Sequence, residues 1–314
     1  MKGFIDSGYF DFGTGARLYV KCTPCIASQT RGNLIISHGL AETAEYYDEF
    51  SSFLSAAGYN VAVPELRGHG RTAGDITDSE YKNQGGHPGP DSLNGMANDL
   101  RAVSERIKKE TGKPVFLLGH SMGSVAAQLC VMRSHDLFAG TVLMGVPDPG
   151  DAQAMLDLVS DEIRRNGPNA ECHDTFLAMF GNVDAPFRPV RTAFDWITSD
   201  EKMADYSAAL PNSAVLFCNS FYYDFLSAIL VTSRPESWKE ADNTLPFLLL
   251  SGGDDVITVK GKSITALAEM LVSAGNDNIE LKIYPGLRHS ILREKKRRSV
   301  FEDILRWLDT CNAV

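Results

Sequence analysis

The sequence predicts an α/β chain with a mostly parallel central sheet flanked by helices and a helical segment inserted into it. Two rhythms and one interruption carry that prediction. Short apolar runs recur at Leu34-Ile35-Ile36, Val61-Ala62-Val63, Val115 to Leu118, Thr141 to Met144, Phe247 to Leu250 and Ile279 to Tyr284. Helical patterns alternate with them, and strands separated by helices imply crossovers and parallel pairing. The helical rhythm is plainest where Leu93, Met96, Leu100, Val103 and Ile107 fall three and four residues apart, ending near Thr111-Gly112. Val300, Phe301, Ile304, Leu305 and Leu308 repeat it at the carboxyl end. The interruption runs from Pro147 to about Ser220, where proline, charge and amphipathic helical segments replace the strand rhythm.

Taken in order, Tyr9 to Phe12 and Arg17 to Lys21 read as a hairpin across Gly13-Thr14-Gly15. The core is expected over residues 1–146 and 221–314, with 147–220 as a helical cap. Within the cap, Met155, Leu156, Leu158 and Val159, then Phe176, Leu177, Met179 and Phe180, supply apolar faces. Singly these are packing residues; together they permit an acyl-binding pocket.

Chemistry enters at Gly119-His120-Ser121-Met122-Gly123, which follows the strand pattern Pro114 to Leu118 and leads into the helix-like Ser124 to Leu129. A serine on such a strand-to-helix corner has its Oγ pushed out of the sheet edge, and the glycines keep Cβ atoms out of the crowded turn. Serine is a weak nucleophile at its own pKa and needs a base and a group to orient that base. His289 stands out among seven histidines because it follows the strand pattern Ile279 to Tyr284 and a Pro285-Gly286 turn. A loop at a strand's carboxyl end can carry an imidazole to the site. An acid should lie between them in the chain. The buried-strand run Leu245 to Ser251 ends in Gly252-Gly253-Asp254-Asp255, and either carboxylate could serve.

The ordered blocks His38-Gly39-Leu40-Ala41-Glu42, Glu65-Leu66-Arg67-Gly68-His69-Gly70, the Ser121 corner, Phe194-Asp195-Trp196, Ser251 to Asp255 and Gly286-Leu287-Arg288-His289 span nearly the whole chain. In them the chain resembles the α/β-hydrolase superfamily, and within it the monoacylglycerol lipase and lysophospholipase group often labelled serine aminopeptidase-like. The resemblance implies the α/β-hydrolase fold. It implies Asp255 as the acid, since the family's Gly-x-x-Asp spacing falls on Gly252 to Asp255, and leaves Asp254 a neighbour. It also implies an oxyanion hole from the backbone N–H groups of Leu40 and Met122. His38 is expected to shape its loop, Arg67 and His69 to tie loops together, and Phe194-Asp195-Trp196 to pack and cap. Two positions depart from the pattern: Glu65 where relatives usually carry Asp, and Thr43 where they often carry His.

The implied activity is hydrolysis of a carboxylic ester through an acyl-enzyme, with monoacylglycerol or lysophospholipid-type esters as substrates. An aminopeptidase or amidase would need cap carboxylates for a free α-amine, and Glu162, Glu171 and Asp174 are the candidates. An acyltransferase, in which an alcohol or thiol replaces water, and a silent ligand receptor are the other readings of the same scaffold. No cofactor or metal is expected.

With 314 residues, 44% apolar and 22% charged, the chain has an ordinary globular composition. Its formal charge of -10 argues against a nucleic-acid footprint. The one basic run, Lys295 to Arg298, reads as the solvated face of a helix. The amino terminus, Met1 to Gly8, has no continuous apolar stretch, and no run is long enough to span a bilayer, so cytoplasm is the expected location, with membrane contact limited to the cap surface. Six cysteines make no disulfide framework; Cys130 and Cys218 read as small core residues. Cys22-Thr23-Pro24-Cys25 has redox spacing but opens no helix.

Overall fold

The computed structural model describes residues 5–73, 85–210, 215–239 and 244–312. Met1 to Phe4 of the amino-terminal segment and 211–214 of the expected cap lie outside the described residues, as do 74–84, 240–243 and 313–314 of the expected core. Among the described residues, eight strands form one sheet in the order β1-β2-β4-β3-β5-β6-β7-β8. They are β1 (Gly8–Asp11), β2 (Arg17–Thr23), β3 (Gly32–Ser37), β4 (Tyr59–Pro64), β5 (Val115–His120), β6 (Gly140–Met144), β7 (Phe247–Gly252) and β8 (Ile279–Tyr284). The expected hairpin is β1 against β2, and β2 also runs antiparallel to β4. Every other pairing is parallel. The molecule therefore has the α/β-hydrolase fold.

The continuous apolar runs are explained by cover on both faces. Side chains alternate across a strand, so a sheet buried on both sides needs apolar residues at every position. In β3, Ile35 packs with helices Ser92–Thr111 and Met122–Ser134, whereas Leu34 and Ile36 face helices Asp48–Ala56 and Arg297–Asn312. The stripe from Leu93 to Ile107 is buried, and its helix stops where Gly112 takes φ 64°, its N–H closing on Lys108 O at 2.9 Å.

Strand order also fixes where a site can form. After β3 the chain steps outward to β4 and then returns to place β5 on the other side of β3. Crossovers on either side of β3 leave a crevice at the carboxyl ends of β3 and β5, the place where open α/β sheets receive ligands.

Between β6 and β7 lie helices Ala152–Asn166, Asp174–Phe180, Glu201–Ala209 and Asn219–Thr232. The last of these packs on both Ser92–Thr111 and Met122–Ser134 and on Ala152–Asn166. Asp224 in it accepts the N–H of Ser92 at 2.7 Å and its hydroxyl at 2.9 Å. Of the basic run, Lys295, Lys296 and Arg298 are exposed as expected, and only Arg297 departs from the expectation. The carboxyl-terminal helix starts at Arg297, and Arg297 is held by Glu49 at 2.8 Å and Asp200 at 3.0 Å instead of facing solvent. All six cysteines are free, with Cys130 and Cys218 buried. No helix of the described residues is long and apolar enough to cross a membrane.

Candidate active site

The corner after β5 is strained in the way its sequence requires. Ser121 sits at φ 53°, ψ -123°, a region that L-residues enter only when their surroundings force it. The forcing is visible at the two glycines. A Cβ on Gly119 would stand 2.7 Å from Gly123 O and Ser124 Cα, and one on Gly123 would collide with the carbonyl oxygens of Ser37 and His38. The helix starting at Met122 is thereby pressed onto the end of β3. The Ser121 N–H donates to Met144 O at 3.0 Å, which ties the corner to β6. Its side chain is partly exposed.

Register places the two expected oxyanion donors. Ser37 of β3 pairs with Gly119 of β5. Leu40 and Met122 each lie three residues beyond that pair, on adjoining strand ends. Among the described residues neither amide donates to another group. For Met122 this is the ordinary condition of a first helical N–H.

The expected acid and base arrive on neighbouring strands. Asp255 follows β7 and His289 follows β8, and the loops interlock so closely that a Cβ on Gly252 would meet the carbonyls of Leu287 and Arg288. His289 Nδ1 lies 3.0 Å from each oxygen of Asp255. Asp255 is fully buried and also accepts the N–H of Ile257 at 2.9 Å, while Asp254 is exposed and only its backbone is engaged, donating to Leu287 O. Spacing left the two aspartates equivalent; burial separates them. The loop after Asp255 holds Val259, Lys260 and Gly261 at φ 50°, 58° and 86°, a run of left-handed backbone closing on Asp255 O through Lys260 N–H.

Beside this pair is a second histidine and carboxylate that the sequence reading did not assign. Glu42 accepts the Gly39 N–H at 2.7 Å and the Tyr47 hydroxyl at 2.6 Å, and its Oε1 lies 3.2 Å from His120 Nδ1. Burial opposes ionisation of Glu42, but the His120 charge, the Tyr47 hydroxyl and the Gly39 amide outweigh it and hold the carboxyl far below its usual range. Burial likewise opposes charge on His120, and Glu42, with Asp255 adding to it, reverses the sign and raises its pKa. A charged pair thus ties the loop carrying Leu40 to the strand end carrying Ser121. The ring of His120 lies 4.9 Å from that of His289, and the Trp196 ring stacks on His289 at 5.3 Å and 29°. A glutamate in an apolar turn directly after a fully buried strand was the only signal available for the Glu42 clamp.

The remaining expectations resolve as structure. His38 Nε2 accepts the Leu66 N–H at 2.9 Å, so its Nδ1–H donates to Gly39 O at 2.8 Å. Burial lowers its pKa, and burial with the His38 charge pushes His69 down to about 3. Arg67 grips Asp99 through two hydrogen bonds of 2.8 Å and also reaches Thr14 O. At the departure Glu65, the buried carboxylate takes the Ala44 N–H at 3.2 Å and the Arg71 side chain, so the longer arm is fully used. Asp195 caps its own turn by accepting from Thr192 and Arg191.

With this geometry in view, comparison with known proteins is direct. Residues 28–296 match the family described as serine aminopeptidase, S33. The chain belongs to that family. Among curated relatives of this S33 member, the monoacylglycerol lipase of Mycolicibacterium smegmatis is 24% identical over 289 residues, 88% of each chain. The human monoglyceride lipase is 27% identical over 287 residues, 88% of this chain and 81% of its own. Among solved structures, a thermostable carboxyl esterase from Bacillus coagulans in complex with glycerol superposes with a TM-score of 0.87 at 22% identity, covering 99% of this chain and all of its own. A soluble variant of the Saccharomyces cerevisiae monoglyceride lipase with a substrate analog gives 0.75 at 21% identity, covering 98% and 96%. At these identities the structures share the fold.

Proposed function

We propose that this serine hydrolase cleaves carboxylic esters of single-chain lipids, of the monoacylglycerol or lysophospholipid type, through an acyl-enzyme on Ser121. The observation that carries the reading is the His289–Asp255 contact, two 3.0 Å approaches to Nδ1, at the same sheet edge as the strained Ser121. With Nδ1–H committed to Asp255, Nε2 is left as the proton acceptor. Ser121 Oγ attacks the ester carbonyl as its proton passes to Nε2. The carbonyl oxygen takes up negative charge facing the Leu40 and Met122 amides. Collapse breaks the bond to the alcohol, which leaves with the proton from Nε2. Water then attacks the acyl-enzyme, gives its proton to His289, and the carboxylic acid is released with Ser121 restored. A missing oxyanion donor of this kind costs about 3 kcal/mol in barrier.

Segment 147–220 acts in this reading as a cap whose apolar residues, Phe176, Met179, Phe180 and Trp196 among them, wall the acyl site. The comparisons support a lipid ester: the curated relatives named above are monoacylglycerol lipases. The aminopeptidase reading loses its best candidate. Glu162 is buried, and its carboxylate is consumed by the N–H groups of His173, Asp174 and Thr175 and by the Thr175 hydroxyl at 2.6 Å, which pins the start of helix Asp174–Phe180. Asp174 pairs with Arg165 at 2.8 Å, and Glu171 lies 3.5 Å from His173.

Ser121→Ala is expected to abolish hydrolysis of p-nitrophenyl esters. An acyl series from acetyl to long chain, on glycerol and phosphoglycerol esters beside amino-acid amides, should show turnover of the esters alone. Esterase activity surviving in Ser121→Ala would refute the mechanism, and preferential turnover of amides would refute the substrate class.

A further inference from the structure

The segment carrying Trp196 is joined to the loop carrying His289 on both sides of the indole. On either side of it, the carbonyl of Asp195 accepts from the Arg288 guanidinium, and the carbonyl of Ile197 accepts the Ser290 N–H at 2.8 Å. One backbone bond and one side-chain bond thus flank Trp196, whose ring lies 5.3 Å from that of His289. The clasp continues in both directions. Arg288 also reaches Thr198 O at 3.3 Å and stacks over the Phe187 ring at 4.2 Å; the Thr198 hydroxyl donates to Arg293 O at 3.0 Å. Glu294 accepts the Ser199 N–H at 3.1 Å and the Arg288 N–H at 2.8 Å. Behind the indole, Phe180 stands 6.5 Å away, backed by Phe176 at 5.4 Å.

We propose that Trp196, set by this clasp, is a positioning residue for the catalytic base, so that the segment between β6 and β7 completes the catalytic centre as well as walling the substrate site. The proposal rests on the reading of His289 as the base. Asp255 holds one edge of the imidazole, which leaves rotation about that bond to be limited by packing on the ring. Trp196, nearly parallel to it, supplies that packing. Charge gives a second reason. In the proposed mechanism His289 becomes cationic as it takes the serine proton. The electron-rich face of an indole attracts a cation lying over it, so this contact strengthens at the moment the barrier is crossed.

The test is a set of full-length variants assayed on p-nitrophenyl acetate, a substrate too short to need an acyl wall. Trp196→Ala should lower kcat about tenfold or more with KM unchanged, since misplacement of a catalytic group is felt in the chemical step. A fluorophosphonate should label Ser121 more slowly by the same factor. Trp196→Phe, which keeps a ring over His289, should recover most of both rates. The low-field proton resonance of the His289 Nδ1–H should broaden or vanish in Trp196→Ala and return in Trp196→Phe. If Trp196→Ala is insoluble, Trp196→Phe and Trp196→Leu make the same contrast, Leu keeping bulk without a ring. Unchanged kcat and labelling, with KM altered only for long acyl esters, would overturn the proposal and leave Trp196 a pocket wall. Failure of the underlying reading is recognised separately, because Ser121→Ala would then retain activity whatever Trp196 does.

Discussion

Two histidine–carboxylate pairs stand side by side at one sheet edge, their rings 4.9 Å apart, and in the proposed mechanism only one turns over protons. In the pair of Glu42 and His120, the carboxylate accepts from an amide and a hydroxyl and holds the ring, whose pKa it raises. In the pair of Asp255 and His289, the carboxylate likewise holds Nδ1 and accepts two further N–H groups, those of Ile257 and Thr258. The difference teaches that a buried imidazole beside a carboxylate can be either a clamp or a base. Hydrogen-bond count and engaged nitrogen are alike in the two, so what decides is where the ring is carried: His120 closes β5 with its Nε2 buried, whereas His289 stands on the loop after β8, where the proposed mechanism uses its Nε2.

Breaking the reactive pair should have the largest effect. Asp255→Asn keeps the shape but lets the amide present its N–H to Nδ1, favouring the wrong tautomer, and is expected to lower kcat about 10⁴-fold at nearly unchanged stability. Breaking the clamp should cost less activity and more stability. Glu42→Gln removes the negative charge that joins the Leu40 loop to the Ser121 corner. A kcat loss of about tenfold to a hundredfold is expected, together with a stability loss of about 3 kcal/mol, the usual result of leaving one buried charge without its partner; steady-state kinetics and urea unfolding measure the two. If Glu42→Gln costs as much activity as Asp255→Asn, the division into clamp and base is wrong.

The smallest effect, and the one that sharpens the comparison most, is the dependence of stability on pH. Glu42, held below its ordinary value of 4.5, contributes stability that is complete above that pH and is lost on acidification through its lowered value. His120, raised above 6.5, contributes stability that is complete below that pH and fades as pH rises through its raised value. As one ion pair, their joint contribution is therefore greatest between about pH 4.5 and 6.5. The gap in urea midpoint between wild type and Glu42→Gln should be widest there and narrow on both sides. Using the difference removes the background from His38 and His69, whose lowered pKa values weaken the native state as pH falls below 6.5.

Much of this was legible in the sequence because the features are local. The six core strands, the stripe from Leu93 to Ile107, its stop at Gly112 and the strained corner at Ser121 each depend on residues close together in the chain. The Asp255 assignment needed either the family resemblance or burial, since Asp254 and Asp255 are alike in everything local. Glu42, His120 and Trp196 were read only as parts of motif blocks. Their partners lie 78 and 93 residues away, His120 for Glu42 and His289 for Trp196, and no periodicity reports a contact of that range. Arg297 illustrates the same limit: its neighbours Lys295, Lys296 and Arg298 are exposed as the run predicts, but Glu49 and Asp200, distant in the chain, are brought to Arg297 by the fold.

The clasp between residues 195–199 and 288–294 constrains how such enzymes can be recombined. A chimera that imports a foreign 147–220 segment onto this body would cut hydrogen bonds to Arg288, Ser290, Arg293 and Glu294, none of which belongs to the exchanged stretch. Crossovers that carry both strips together preserve the joint, whereas a donor loop that cannot meet it would disturb the base while leaving Ser121 untouched. Swapping specificity between relatives is therefore a two-piece graft.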